Sequence, residues 1–190
     1  MPSASDPFID LPAFDPETDH LNVIIETPKG CRNKYKYDIK RKLFTLSKVL
    51  PAGNTFPYDF GYIPCTEGPD GDPLDVLILM DEPAFSGCLI PTRLIGAIRA
   101  EQNDKDSKVR NDRLIAIAAD SHDQRNIRSL DELNPHLLDE IEHFFTSYHE
   151  LDGKEFIPEA RLGPGKARKI VMEGMKAQKP SSNHTARAKK

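Results

Sequence analysis

The chain has 190 residues and a formal net charge of −4, with 26 Lys and Arg against 30 Asp and Glu. This length suits one domain with a substantial core, and the mixed charge argues against a dedicated nucleic-acid binder. Cys31, Cys65 and Cys88 lie far apart with no C-x-x-C pair, which disfavours a disulfide framework or a zinc site and makes a reducing cytoplasm the simplest home.

Residues 1–20 read as an extended arm broken by Pro2, Pro7, Pro12 and Pro16. The stretch is rich in Pro and Asp and lacks the basic start and apolar core of a signal peptide. No apolar run approaches a membrane span, so no membrane partner is expected. Leu21 to Glu26 is a strand candidate ending on a carboxylate, and Thr27-Pro28-Lys29-Gly30 is a turn. Tyr35 to Ile39 and Leu43 to Leu50 alternate as strands do. Seen alone, Lys34, Lys36 and Lys48 are solvated strand charges more often than ligands. Phe56 to Pro64 holds two prolines, a glycine and four aromatic residues. It is too interrupted for a helix and reads as a core-lining loop, with Phe56 and Phe60 as packing residues.

The densest chemistry follows in Asp70-Gly71-Asp72-Pro73-Leu74-Asp75. Three carboxylates within six residues repel unless a cation neutralises them. Gly71 permits a turn with positive φ, and Pro73 disfavours a helix. The segment reads as a rigid acidic turn feeding the buried strand Asp75–Met80. Hard oxygen donors of this kind suit Mg²⁺, Mn²⁺ or Ca²⁺. An EF-hand is excluded because Leu74 falls at position 5 and Asp75 at position 6, where an oxygen ligand and then glycine are needed. Asp-Gly-Asp also occurs in ordinary solvated turns; Asp75, placed at the mouth of a strand, is what favours a site.

Two further strands are expected, Gly87–Arg99 and Arg113–Ala119. Gly96 marks a bulge or barrel corner in the first, and the charged run Glu101–Lys108 between them reads as an exposed hairpin loop. Ser129 and Glu132 have capping-box spacing. Asn134 caps a longer helix with Pro135 at its first position, and Leu137, Leu138, Ile141, Phe144, Phe145 and Tyr148 share one face. By that spacing alone Tyr148 is a core residue. Gly153 suits the helix end. His122, His136, His143 and His149 read as surface or interface groups. A last helix is expected after Gly163-Pro164-Gly165, with Ala167, Ile170, Val171 and Met175 on its apolar face. From Lys176 the chain carries five Lys or Arg and no acid, which reads as a disordered basic tail over 176–190. Strands first and helices late, with no parallel crossover, indicate an α+β, mainly β protein built on a small barrel.

Asp70 to Val76 resembles the signature of the soluble family I inorganic pyrophosphatases. Val23 to Pro28 resembles the family's first catalytic strand, Phe56 to Pro64 its Tyr-Pro…Tyr-Gly segment, and Phe144 to Tyr148 its helical segment bearing a substrate tyrosine. These segments stand in family order over about residues 20–175. The resemblance implies an OB-like five-stranded β-barrel flanked by two α-helices, formed by a single domain over 21–175. It also implies Mg²⁺ dependence (with Mn²⁺ or another divalent ion possible) and hydrolysis of pyrophosphate to two phosphates. By resemblance Asp70 and Asp75 are metal ligands, Glu26 holds a further metal, and Asp72 both contacts metal and takes the proton of the attacking water. Lys34, Lys48, Arg113, Tyr148 and Lys154 match positions that hold phosphate oxygens.

Several positions depart from the family pattern. Lys36 stands where a glutamate is common, and Lys48 replaces an arginine, keeping charge but losing the bidentate fork. Phe56 and Phe60 replace tyrosines. Gln102 aligns with an aspartate, Asn111 with a metal-ligand aspartate, and Arg113 with a lysine. Asp112, adjacent to Asn111, restores a ligand if the loop register shifts by one. These changes remove negative charge from the region of the third and fourth metals, so metal number, affinity or turnover is expected to differ.

The leading reading is thus an inorganic diphosphatase acting on pyrophosphate. Bacterial-type members are usually hexamers and eukaryotic-type members dimers; the compact length favours a homo-oligomer of the first kind. One rival keeps the fold but acts slowly, or on another phosphoanhydride or phosphomonoester. The other is an OB-like module that binds a polyanion; it is disfavoured because the aromatic residues adjoin prolines and acids rather than interleaving with basic residues.

Overall fold

The computed structural model describes residues 6–104, 107–150 and 152–178. Five strands close into an uneven barrel-like ring. β1 (Leu21–Thr27) pairs antiparallel with β4 (Asp59–Tyr62), and β4 with β5 (Asp75–Leu79). β5 runs parallel to β8 (Arg113–Ala118), β8 antiparallel to β6 (Leu89–Asp104), and β6 returns to β1. The fold is mainly β, as expected. The parallel β5–β8 pair is a correction to the expectation of no parallel crossover: the chain leaves β5, crosses through β6, and re-enters beside it.

These strands form because apolar residues cover both of their faces. β1 and β8 are buried throughout, which is how a strand between two covered layers reads. Their side chains alternate between two cores. Leu77, Leu79, Ile115 and Ile117 join Phe56, Phe60 and the face of α2 (Pro135–Glu150) carrying Leu138, Ile141 and Phe145. Val76, Ile78, Leu114 and Ala116 join Ala167, Ile170 and Val171 of α3 (Pro164–Ala177). The two long helices therefore flank the barrel. The β6–β8 register shifts between Leu94 and Gly96. A Cβ on Gly96 would lie 2.4 Å from Leu130 Cγ and 2.5 Å from the Leu162 carbonyl oxygen, so the bulge expected there exists and needs glycine.

Other segments differ from expectation. Pro7–Asp10, within the arm expected to be extended, forms a helical turn, α1, because the Asp6 carboxylate accepts from Phe8 N and Pro7 opens the turn. Asp59–Tyr62, inside the expected core-lining loop, forms β4; Phe56 and Phe60 are buried packing residues as read. The charged run after Ala100 is strand rather than loop up to Asp104, paired with β7 (Ser107–Arg110) and with β9 (Glu155–Leu162). β9 itself carried no sequence signal. Its burial alternates little, and the β6 edge rather than an apolar face holds it. Ser129 makes no side-chain cap; the Glu132 carboxylate instead accepts from Arg128 N, leaving a 3-10 turn at Leu130–Glu132. Asn134 does cap α2 through His136 N, and Gly153 adopts φ +68° at its end. α3 runs through Ala177, past the expected start of the basic tail; residues 179–190 of that tail lie outside the described residues.

β2 (Asn33–Asp38) and β3 (Leu43–Val49) form a separate hairpin that sets Lys34 opposite Lys48. Its backbone docks on the end of β1, where Tyr35 N donates to Thr27 Oγ1 and Tyr37 N to Glu26 Oε1. The arm fastens it from outside. Tyr37 donates its hydroxyl to Asp6 at 2.7 Å, Tyr62 donates to the Phe8 carbonyl, and the Phe8 ring packs on Tyr37 and Phe44.

Gly61 faces β1 so closely that a Cβ would lie 2.1 Å from the Ile24 carbonyl oxygen. Gly61→Ala is expected to lower unfolding stability by at least about 2 kcal/mol in urea titration. A change under about 0.5 kcal/mol would show that the β1–β4 contact is looser than described.

Candidate active site

The acidic turn folds as its composition requires. Gly68 N donates to the Asp72 carbonyl, Gly71 N to the Gly68 carbonyl, and Asp72 N to Asp70 Oδ1, while Gly71 takes φ +83°. Leu74 is the buried anchor: its N–H donates to Thr66 Oγ1 and its carbonyl accepts from Ile63 N. The turn therefore stands at the rim of the barrel with Asp75 opening β5.

One cavity of about 520 Å³ gathers most of the residues singled out from the sequence. Glu26, Lys34, Asp70, Asp72, Asp75, Asn111, Arg113, Tyr148 and Lys154 all line it, as do Lys36, Gln102 and His149. Two expected residues do not. Lys48 is absent from that lining, with its amine over Tyr148, 4.1 Å from the ring's centre, and 2.6 Å from Asp152 Oδ2. Asp112 lines a smaller cleft of about 190 Å³ that shares Asp70, Asp75 and Asn111 with the cavity. Its carboxylate accepts from Ala100 N at 3.2 Å and from Arg110 Nε at 2.7 Å, so it ties β6 to β8. Asn111 N is fixed to the Ala100 carbonyl, which turns the Asn111 side chain to the larger cavity and leaves Asp112 to the cleft.

Electrostatics divide the cavity into two ends. At the acidic end, burial raises the Glu26 carboxyl to about 7, with Asp75 adding to the effect and Lys34 opposing it. Burial also raises Asp70, helped by the charges of Asp75 and Asp72. Burial works against the Lys34 ammonium, yet Tyr148, Asp75 and Glu26 around it hold its amine above the ordinary lysine value. Two carboxylates already carry partners from the chain itself. Lys36 Nζ lies 2.7 Å from Asp72 Oδ2, and Arg113 Nη1 lies 2.8 Å from Asp75 Oδ2.

The other end is built from amides. Asn111 Nδ2 donates to Gln102 Oε1 at 2.8 Å, and Arg113 Nη1 donates to Asn111 Oδ1. Arg113 is 3 % exposed and packs its guanidinium over Phe145 and Phe156. His149 completes this wall. Its Nδ1 donates to the Phe145 carbonyl at 2.7 Å, which leaves Nε2 to accept from Arg113 Nη2 at 3.5 Å. Burial, then the neighbouring Arg113 charge, push the imidazole down to about 4, so the ring is neutral at pH 7. The expectation that His149 is a surface or interface group is therefore corrected, since it is buried within its own chain, whereas His122, His136 and His143 are exposed. The signal was present: Ile141, Phe145 and His149 recur at intervals of four along α2, on its buried face.

Among the described residues, no three Asp, Glu, His or Cys side chains form a ready-made metal cage. The donor set at the acidic end nevertheless fits a hard divalent ion. Four carboxylates share one cavity, and burial, with a smaller push from neighbouring carboxylates, disfavours the charged forms of Glu26 and Asp70, a cost that a bound cation relieves. The amide end is a weaker donor set: the oxygens of Gln102 and Asn111 carry no formal charge and already accept from Asn111 Nδ2 and Arg113 Nη1.

The inorganic pyrophosphatase family model matches residues 23–179. Among curated proteins, an inorganic pyrophosphatase of Synechocystis is 39% identical over 145 residues, 76% of this chain and 82% of that protein. One from Methanosarcina mazei is 36% identical over 80% of this chain and 87% of its own length. The crystal structure of inorganic pyrophosphatase from Thermus thermophilus superposes with a TM-score of 0.83 at 28% identity, covering 91% of this chain and 99% of that one.

The buried neutral His149 has a consequence for stability. A histidine held near 4 when folded and near 6.5 when unfolded binds fewer protons in the native state, so its contribution is complete above about pH 6.5 and is lost as pH falls toward 4. The stability of the wild type is expected to fall more steeply over that window than that of His149→Gln. Parallel curves for the two proteins in pH-dependent urea titrations would contradict this assignment.

Proposed function

The chain belongs to the inorganic pyrophosphatase family, and on that premise we propose that its cavity hydrolyses pyrophosphate to two phosphates with Mg²⁺ as the working ion. The observation that carries the reading is the gathering of Glu26, Asp70, Asp72 and Asp75 with Lys34, Arg113, Tyr148 and Lys154 around one cavity. A divalent ion bound at the carboxylates neutralises phosphate oxygens and makes water more acidic. Asp72, exposed on the turn, accepts the proton of the attacking water. Glu26, Asp70 and Asp75 hold the ion. Lys34, kept charged by its acidic neighbours, with Arg113, Lys154 and the Tyr148 hydroxyl, holds phosphate oxygens and stabilises the charge that grows on the leaving phosphate. Lys48, with its amine over the Tyr148 ring and paired with Asp152, acts by fixing those two side chains rather than by touching substrate.

A second reading keeps the chemistry but changes the substrate to another phosphoanhydride or a phosphomonoester. The Gln102–Asn111 amide pair favours it, because that wall offers neutral hydrogen-bonding groups where a fully inorganic diphosphate is served by charge. We further propose that residues 21–175 act as one catalytic domain of a cytoplasmic homo-oligomer, a hexamer rather than a dimer. The cysteines agree with a reducing compartment: Cys31, Cys65 and Cys88 are free thiols. No helix among the described residues is long and apolar enough to cross a membrane.

Purified protein is expected to release phosphate from pyrophosphate with Mg²⁺ and not after chelation, and Asp72→Asn to lower the rate by about 100-fold or more. Release from a phosphomonoester or organic phosphoanhydride, with none from pyrophosphate, would select the second reading. Equal rates for wild type and Asp72→Asn would remove Asp72 as the base.

A further inference from the structure

We propose that Lys36 is a built-in cation that takes over part of the charge supplied elsewhere in the family by divalent ions, so that this cavity, in which Arg113 already holds Asp75, binds fewer metal ions per chain. The inference rests on the pyrophosphatase reading of the cavity and concerns how that cavity is balanced electrically.

The charge arithmetic is specific. The resemblance places Lys36 where a glutamate is common and Gln102 and Asn111 where aspartates stand. A lysine for a glutamate adds two positive units, and two amides for two aspartates add two more. That is the charge of two divalent ions. A cavity that kept its full complement of metals after such changes would hold an unbalanced positive excess in a partly desolvated space, which is costly.

The geometry shows where the chain's own cations sit. Lys36 lies on β2, whose backbone is fixed by pairing with β3 and by the bond of Tyr37 N to Glu26. Its amine reaches across the cavity to Asp72 at 2.7 Å. Arg113 opens β8, and the β5–β8 register of Val76 beside Leu114 brings it against Asp75 at 2.8 Å. Each of these carboxylates thereby holds a cation of the chain's own. At the amide end Gln102 Oε1 accepts from Asn111 and Asn111 Oδ1 accepts from Arg113, and neither oxygen carries the formal charge that an aspartate offers a metal. Asp112, the carboxylate next in sequence to Asn111, accepts from Arg110 and Ala100 N. Room for metal is left at Glu26 and Asp70, and beside the ion-paired Asp72 and Asp75.

The test counts bound Mn²⁺ on the metal-free full-length protein by the loss of the free-ion EPR signal. Lys36→Glu and the double variant Gln102→Asp/Asn111→Asp are each expected to bind one more Mn²⁺ per chain than wild type at saturation. Lys36→Met, which withdraws the amine without adding an oxygen, is expected to tighten Mn²⁺ binding about tenfold, since Asp72 is then unpaired. Lys36 is half-exposed, so both Lys36 variants leave the fold intact. Equal numbers and equal affinities in wild type and variants would overturn the proposal. Phosphate release from pyrophosphate on the same samples separates the two claims. Release with equal metal counts contradicts the built-in cation alone. A rise in count with no release from wild type contradicts the activity and leaves the cation standing.

Discussion

The parallel pairing of β5 with β8 governs both the barrel and the site. Its register, Val76 beside Leu114, places Asp75 next to Arg113 at the strand ends. A guanidinium that is 3 % exposed needs a counter-charge and several acceptors; removing the partner of such a group costs about 3–5 kcal/mol in comparable buried pairs. Arg113 finds its acceptors in Asp75, the Asn111 side chain, the Asp112 carbonyl and His149. The rest of that wall follows. Asn111 turns its amide nitrogen to Gln102, Asp112 turns away to Arg110, and His149 stays neutral beside a fixed positive charge. One strand register thus settles the positions of five side chains.

The opposite wall is set by the β2–β3 hairpin, which lies outside the barrel and brings lysines to it. Hairpin register puts Lys34 across from Lys48, and both amines lie over Tyr148, at 5.3 and 4.1 Å from its ring. Docking through Thr27 and Glu26 then points Lys36 at the acidic turn. The N-terminal arm fastens the hairpin through Asp6, Phe8 and Tyr37, and Phe8 and Ile9 reach the cavity's edge. These arm residues precede the segment matched by the family model, which begins at residue 23.

Much of this was legible in the residues because local rules and tertiary packing agree there. The turn at Asp70–Asp75, the bulge at Gly96, the Asn134 cap and the apolar face of α2 each rest on short-range chemistry. What was not legible depends on partners distant in sequence. Glu101 to Asp104 looks like loop because its strand is a two-sided polar ribbon held by β7 and β9. Asp112 and Asn111 are adjacent, and only the β5–β8 register and the Asn111–Ala100 bond decide which of them enters the cavity. Lys36 reads as a solvated strand charge until the hairpin's docking brings it to Asp72. His149 follows from a four-residue period with Ile141 and Phe145, but its polarity hid it.

The claim that ties these observations together is an electrical division of the cavity, with metal at the carboxylates and the chain's own cations and amides opposite. Anomalous diffraction from crystals of the wild-type protein soaked in Mn²⁺ tests it most directly. The account predicts peaks beside Asp70 and Glu26, with Arg113 still on Asp75 and no peak within coordination distance of Asn111 or Gln102. A peak bound by Asn111 or Gln102, with Arg113 displaced from Asp75, would contradict it.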